Sequence, residues 1–264
     1  MKLGFIGCGN MASAMMKGII SNGIIGIKDI IGADVFAPSR EKVQHTLGIS
    51  VTESNTEVVK WADAFVLSIK PQFYEKVIAE IKNSVKENQI VITLAPGKTL
   101  AWLEEQFGKP VKIIRTMPNT PAMVLEGMTA ACPNQYVTDE ELESVCNILR
   151  GFGEVEVVPE KMIDAVVAVS GSSPAYVFMM IEAMADAAVA EGMPRAQAYK
   201  FAAKAVMGSA KMVLETGKQP GELKDMVCSP GGTTIEAVKV LEATGFRSSL
   251  MEAMEACAEK SRNL

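Results

Sequence analysis

Two glycine turns carry the residues most able to do chemistry in this chain. Residues 229–236 read SPGGTTIE, a proline, two adjacent glycines and two threonines at what reads as a helix start. Glycines ahead of a helix leave bare backbone N–H groups at its positive end, a receptacle for a carboxylate. Thr234 adds a hydroxyl that can donate or accept. The same letters also spell a capping box, in which Thr233 caps the helix and Glu236 reaches back. A capping box explains one threonine; the glycine pair and Thr234 remain for the anion-binding reading.

The other turn lies in LGFIGCGNMASAM, an apolar run followed by Gly7-x-Gly9-x-x-Ala12 and an amphipathic helix. In that context the motif predicts a dinucleotide site built from Ile6, Gly7, Cys8, Gly9, Asn10, Met11 and Ala12. Gly7 makes the tight turn, Gly9 lets the backbone approach a pyrophosphate, and Ala12 allows close helix–strand packing. Reading residues 35–37 as the second strand, no carboxylate follows until Glu41, whereas Ser39 and Arg40 offer a hydroxyl and a guanidinium. That pair suits a 2′-phosphate, hence NADPH ahead of NADH, although Ser39 as a helix cap and Arg40 as a solvated first-turn residue fit as well.

Around these turns, apolar runs at 3–6, 35–37, 65–69, 90–94 and 112–115 alternate with helical patterns at 10–21, 71–81 and 139–149. Such alternation predicts a parallel, doubly wound α/β sheet covered on both faces. Its carboxyl edge, where ligands bind, would be lined by SIKP (68–71), LAPG (94–97) and RTMPNTP (115–121). After Pro159 the strands stop, and 161–170, 173–191, 194–215, 233–243 and 247–261 read as helices. The expected division is therefore a dinucleotide domain over 1–159 and a helical oligomerisation and substrate domain over 160–264. The stretch 173–193 is apolar on nearly every face, so another subunit should cover part of it; Glu182 and Asp186 count against a membrane span.

A chain of 264 residues with 48% hydrophobic and 22% charged residues and a net charge of −5 gives no cause to expect nucleic acid or an anionic membrane as partner. One histidine (His45) and five scattered cysteines point to neither a metal site nor a disulfide framework, and no signal-peptide pattern opens the sequence. The expectation is a cytoplasmic protein.

ELKDMVCSPGGTTIEAVKVLEATGFR (222–247) resembles the signature of pyrroline-5-carboxylate reductases, and FIGCGNMA, SIKPQ, RTMPNTP and SGSSPAY (170–176) follow the family order along the whole chain. The resemblance implies a Rossmann domain, a helical dimerisation domain, dimers assembled into rings such as decamers, and NADPH-dependent (or NADH-dependent) reduction of 1-pyrroline-5-carboxylate to L-proline. It implies that Gly231, Gly232, Thr233 and Thr234 hold the substrate carboxylate and ring nitrogen, with Thr234 bonding the nitrogen. Asn55 would contact the adenosine portion of the cofactor. Ser68, Ile69, Lys70, Pro71, Leu94, Ala95 and Pro96 would flank the nicotinamide half, with Asn119 in the neighbouring loop. Glu160 matches an acidic residue near the substrate. Departures are Met226 for an asparagine near the substrate, Ser173 for glycine, Cys228 for serine and Pro96 for a small residue. A β-hydroxyacid dehydrogenase, the rival enzyme, needs a lysine that 171–193 lacks. A non-catalytic NADP-binding sensor would have lost the substrate turn, which is intact.

Overall fold

In a computed structural model, which describes residues 1–94 and 96–263, the first region forms one eight-stranded sheet. Ala95, one of the cofactor positions read from the sequence, lies outside the described residues, as does Leu264. The strands are β1 (Leu3–Ile6), β2 (Ile30–Ala33), β3 (Ser50–Thr52), β4 (Ala64–Leu67), β5 (Ile90–Thr93), β6 (Lys112–Met117), β7 (Gly127–Pro133) and β8 (Gly153–Val157). They lie in the order β3-β2-β1-β4-β5-β6-β7-β8, parallel except between β6 and β7. The helices between them are α1 (Asn10–Ser21), α2 (Ala37–Leu47), α3 (Asn55–Trp61), α4 (Tyr74–Ile81), α5 (Leu100–Phe107) and α6 (Asp139–Leu149).

Strand side chains alternate between two apolar layers. Leu3, Phe5, Ile30, Val66 and Ile92 pack with Met15, Met16 and Ile19 of α1 and Val145 of α6. Ile6, Ile31, Phe65, Leu67 and Val91 pack on the other side with Val58, Ile78 and Leu103 of α3, α4 and α5. Because both faces are covered, the central strands are apolar at successive positions rather than at alternate ones.

The second strand differs from its sequence reading. Residues 35–37 are not extended: Val35 and Phe36 are 87% and 62% exposed, and Ala37 already opens α2. The strand is Ile30–Ala33, buried throughout, and Asp34 follows it directly. A short apolar run beside a helix start is indistinguishable from a strand by periodicity alone. Residues 71–81 begin as a 3-10 turn, Pro71–Phe73, before α4.

Beyond β8, α7 (Ile163–Val166) runs into a π-turn, Val167–Gly171, and is followed by α8 (Ser173–Ala190), α9 (Arg195–Thr216), α10 (Pro220–Val227), α11 (Thr233–Ala243) and α12 (Phe246–Arg262). The sequence reading passed over α10. Two compact units result: residues 1–172 with 257 onward, and residues 173–256. Residues 160–172 join the first unit through specific bonds. Glu160 pairs with Arg115, Asn119 Nδ2 donates to the Ser170 carbonyl at 3.1 Å, and Ser261 Oγ donates to Asp164 at 2.6 Å. In the second unit α8 packs along α9 through buried Ala185, Ala198 and Ala202, while Phe178, Met179 and Leu214 are 64%, 68% and 74% exposed.

Tyr74 braces the sheet edge. Its buried hydroxyl donates to the Leu67 carbonyl at 2.6 Å and accepts from the Leu94 amide at 3.2 Å, joining the ends of β4 and β5. Tyr74→Phe leaves both backbone groups short of a partner and should destabilise the protein by about 2 kcal/mol. Urea denaturation of the two proteins measures the difference; equal midpoints and slopes would remove the brace from the account.

Candidate functional site

The first cluster sits at the carboxyl ends of β1, β2, β4 and β5. Gly7, at φ +98°, leaves β1 with its N–H on the Ala33 carbonyl at 2.7 Å. A Cβ there would stand 2.3 Å from the Ser68 carbonyl oxygen, so the position admits only glycine. Gly9 is different. It has extended backbone at φ −70°, and a Cβ added to it would meet nothing within 4 Å. Neither conformation nor packing demands a glycine, and the open space is what an incoming pyrophosphate needs.

Gly9 is also the N-cap of α1, without a side-chain cap and with no acid in the first turn. The N–H groups of Asn10, Met11 and Ala12 therefore have no intrahelical acceptor. Gly9 and Asn10 are exposed and Met11 half-buried, so this helix start is accessible to a phosphate. The Cys8 amide is not among them, because Asp34 Oδ2 accepts from it at 2.8 Å. Burial, aided by the Asp34 carboxylate, pushes the Cys8 thiol up to about 12, so at neutral pH it is a protonated filler.

Asp34 was missed because the second strand was misplaced; a carboxylate about twenty residues beyond the glycine motif is the signal that could have found it. It occupies the place of a ribose-binding acid, yet both its oxygens serve backbone amides, Cys8 at 2.8 Å and Phe36 at 2.9 Å. The premise that no carboxylate follows the second strand before Glu41 is thus overturned, while the acid present already accepts from two backbone amides. Arg40 Nη1 donates to the Asp34 carbonyl at 2.5 Å and Nη2 pairs with Glu53. Ser39 is half-buried beside it.

Other predicted residues are distributed around this edge. Ser68 follows β4, its amide on the Ile6 carbonyl at 2.8 Å, and Ile69, Lys70 and Pro71 lead into the 3-10 turn. Leu94 and Pro96 are half-buried after β5. Asn55, the first residue of α3, is buried and donates to Glu80 at 3.1 Å. Asn119 is a strut: its Oδ1 accepts from the Met128 amide at 2.9 Å while its Nδ2 holds Ser170. Glu160 is likewise committed, Oε1 accepting from the Leu100 amide and from Arg115 Nη1, each at 2.7 Å. Arg115 lies 5% exposed, and its Nε has no partner among the described residues.

The second cluster is the turn before α11. Ser229 to Gly232 form a β-turn closed by the Gly232 amide on the Ser229 carbonyl at 3.0 Å. Pro230 and Gly231, the latter at φ +67°, are the residues a type II turn requires at those places. Gly232, not Thr233, is the N-cap, and no side chain caps the helix. The capping box therefore does not form; Glu236 pairs instead with Lys239 at 3.0 Å. The Gly232 amide is consumed by the turn, so the bare donors are the amides of Thr233, Thr234 and Ile235. Neither threonine hydroxyl has a hydrogen-bond partner among the described residues. Met226, 62% exposed on α10, has its sulfur 3.7 Å from Lys218 Nζ.

The chain matches the family model described as pyrroline-5-carboxylate reductase dimerisation over residues 160–264, and that described as NADP oxidoreductase, coenzyme F420-dependent, over residues 2–97. It is 57% identical to the pyrroline-5-carboxylate reductase of Escherichia coli (strain K12), over 100% of this chain and 98% of the relative. A solved pyrroline-5-carboxylate reductase from Coxiella burnetii superposes with a TM-score of 0.92 at 34% identity, covering 99% of this chain and 97% of the other. A Plasmodium falciparum pyrroline carboxylate reductase with NADP bound does so with a TM-score of 0.91 at 32% identity, with coverage of 99% and 97%.

The two motif glycines should respond differently to alanine. Gly9→Ala meets no atom of the fold, so it should change stability by less than about 1 kcal/mol while weakening NADP+ binding by about tenfold or more. Calorimetric titration beside a thermal melt tests this; a variant that binds NADP+ as the parent does would show that Gly9 faces no ligand.

Proposed function

The chain belongs to the pyrroline-5-carboxylate reductase family, and from that membership we propose how its residues divide the work of reducing 1-pyrroline-5-carboxylate to L-proline with NADPH. The amides of Asn10, Met11 and Ala12 receive the pyrophosphate over Gly9. Ser39 and Arg40 take the 2′-phosphate, and Asn55 lies toward the adenosine portion. Ser68, Ile69, Lys70, Pro71, Leu94, Ala95 and Pro96 flank the nicotinamide half, and Asn119 holds the loop beside them. When bound, the reduced nicotinamide supplies the hydride.

The amides after Gly231 and Gly232, at Thr233 to Ile235, hold the substrate carboxylate, and the Thr234 hydroxyl bonds the ring nitrogen. The observation that carries this reading is the turn itself: a glycine N-cap, three amides without acceptors and two threonine hydroxyls without partners. A cyclic imine carries its own proton or takes one from water, so Thr234 has only to orient and polarise it. Glu160, bonded to Arg115 and Leu100, contributes by fixing the start of α5. Met226 puts an apolar side chain where the resemblance implies an asparagine.

Self-association follows from the dimerisation segment and from the uncovered Phe178, Met179, Leu214 and Met251. We assign these surfaces to a dimer, with dimers gathered into a larger ring such as a decamer, in the cytoplasm. Glu160–Ala190 is apolar enough to cross a membrane by length and composition. Asp186 on that stretch is paired with Arg195 at 2.5 Å, and a second copy of the chain is the cover that suits it.

Thr234→Ala should lower kcat/KM for pyrroline carboxylate by about 10²-fold, the scale of one lost oriented donor, with Thr234→Ser retaining most of it. An unchanged kcat/KM in the alanine variant would take Thr234 out of the mechanism. Met179→Asp should shift the protein to monomer in sedimentation velocity, by placing a charge in a closed apolar contact; an undiminished dimer would move the interface elsewhere.

A further inference from the structure

We propose that Glu53 sets how strongly this protein prefers NADPH to NADH, by competing with the 2′-phosphate for Arg40. The inference rests on the reading that Arg40 meets that phosphate. In the sheet register Ala33 stands opposite Thr52, so Asp34 and Glu53 are the first residues past two adjacent strand ends. They flank one guanidinium. The Asp34 carboxylate accepts from the amides of Cys8 and Phe36, and its backbone carbonyl fixes Arg40 Nη1 at 2.5 Å. Nη2, the other end of the fork, is held by the Glu53 carboxylate.

Exposure gives the pair a direction. The Arg40 side chain is 12% exposed and that of Glu53 80%, so the carboxylate lies on the solvent side of the guanidinium, where a phosphate must arrive. Glu53 already neutralises that end of the guanidinium, so a phosphate that pairs with it meets a carboxylate of its own sign and must displace it or endure it. An ion pair with so exposed a partner is weak and is readily displaced. A displaced Glu53 nevertheless stays anchored at the end of β3, so its negative charge would oppose a phosphate bound by Arg40. NADH has no 2′-phosphate and meets no such opposition. Glu53 therefore reduces the advantage that Arg40 confers on NADPH, and neutralising it should sharpen cofactor selectivity.

The test is calorimetric titration of the cofactor-free protein with NADP+ and with NAD+ at low salt, for the parent, Glu53→Gln and Arg40→Gln. Glu53→Gln should tighten NADP+ by about three- to tenfold and leave NAD+ within about twofold. The gain should shrink at about 0.5 M salt, as expected for screened charges. If Glu53→Gln leaves NADP+ unchanged or weakens it while Arg40→Gln weakens NADP+ by about tenfold or more, Glu53 is a bystander or holds Arg40 in readiness, and the proposal fails while the assignment of Arg40 stands. If Arg40→Gln leaves NADP+ binding intact, that assignment fails and carries the proposal with it.

Discussion

The approach of β1 to β4 at Gly7 is the constraint on which the nucleotide end of the molecule depends. β1 lies between β2 and β4, and the chain must leave it without disturbing either neighbour. The Gly7 amide closes onto Ala33 of β2 at 2.7 Å, while the Ser68 amide after β4 closes onto Ile6 at 2.8 Å. With the Ser68 carbonyl 2.3 Å from where a Cβ would stand, only a backbone without a side chain passes through. The strand order reverses on either side of β1, so the crevice of a doubly wound sheet opens here. Gly9, the start of α1 and the ends of β2, β4 and β5 take their places from that one passage.

Helix starts in this protein are closed in different ways. Ser54, Thr99 and Thr138 cap α3, α5 and α6 with side-chain oxygens, and Thr138 forms a complete capping box with Glu141. At α1 and α11 the cap is a glycine in extended conformation and no side chain closes the end. Leaving amides unsatisfied costs stability when a serine or threonine could serve them. The sequence supplies Thr233 at the right spacing for a box, yet the turn from Ser229 advances the helix by one residue and leaves the threonine inside it. Both glycine-capped ends suit the anionic groups proposed for them, a phosphate in one unit and a carboxylate in the other.

Local patterns in the sequence carried most of this. The limits of α1, α6 and α11 were legible because apolar period and flanking turn agree over at least eleven residues. What escaped depends on pairing between distant segments. Nothing local distinguishes IIGA from VFA as the strand; the ladders to β1 and β3 decide it, and with it the place of Asp34. The Arg40–Glu53 and Arg115–Glu160 pairs join residues 13 and 45 positions apart and have no periodic signature. The bonds that tie Glu160, Asp164 and Ser170 to the first unit are of the same kind, since composition does not reveal them. The roles proposed for the turn residues draw on family resemblance as well, because a proline, two glycines and two threonines also serve a plain turn.

The ionisable groups bear on how the reaction is run. Active sites that move protons hold acids and bases whose ionisation is displaced by burial or by a partner. Here burial raises the thiols of Cys8, Cys132 and Cys146, which are packed inside the first unit. Glu143 with Arg150, Arg195 with Asp186 and Lys224 with Asp225 are shifted through surface pairs. None of these groups lies in the turn from Ser229 to Glu236, and the single histidine, His45, is exposed on α2. A reaction needing a tuned acid would be poorly served by such a turn. Hydride delivery to a carbon already polarised by its nitrogen asks instead for fixed donors and a fixed distance. An open helix end and a threonine hydroxyl offer fixed donors of the kind that the proposed reaction asks for.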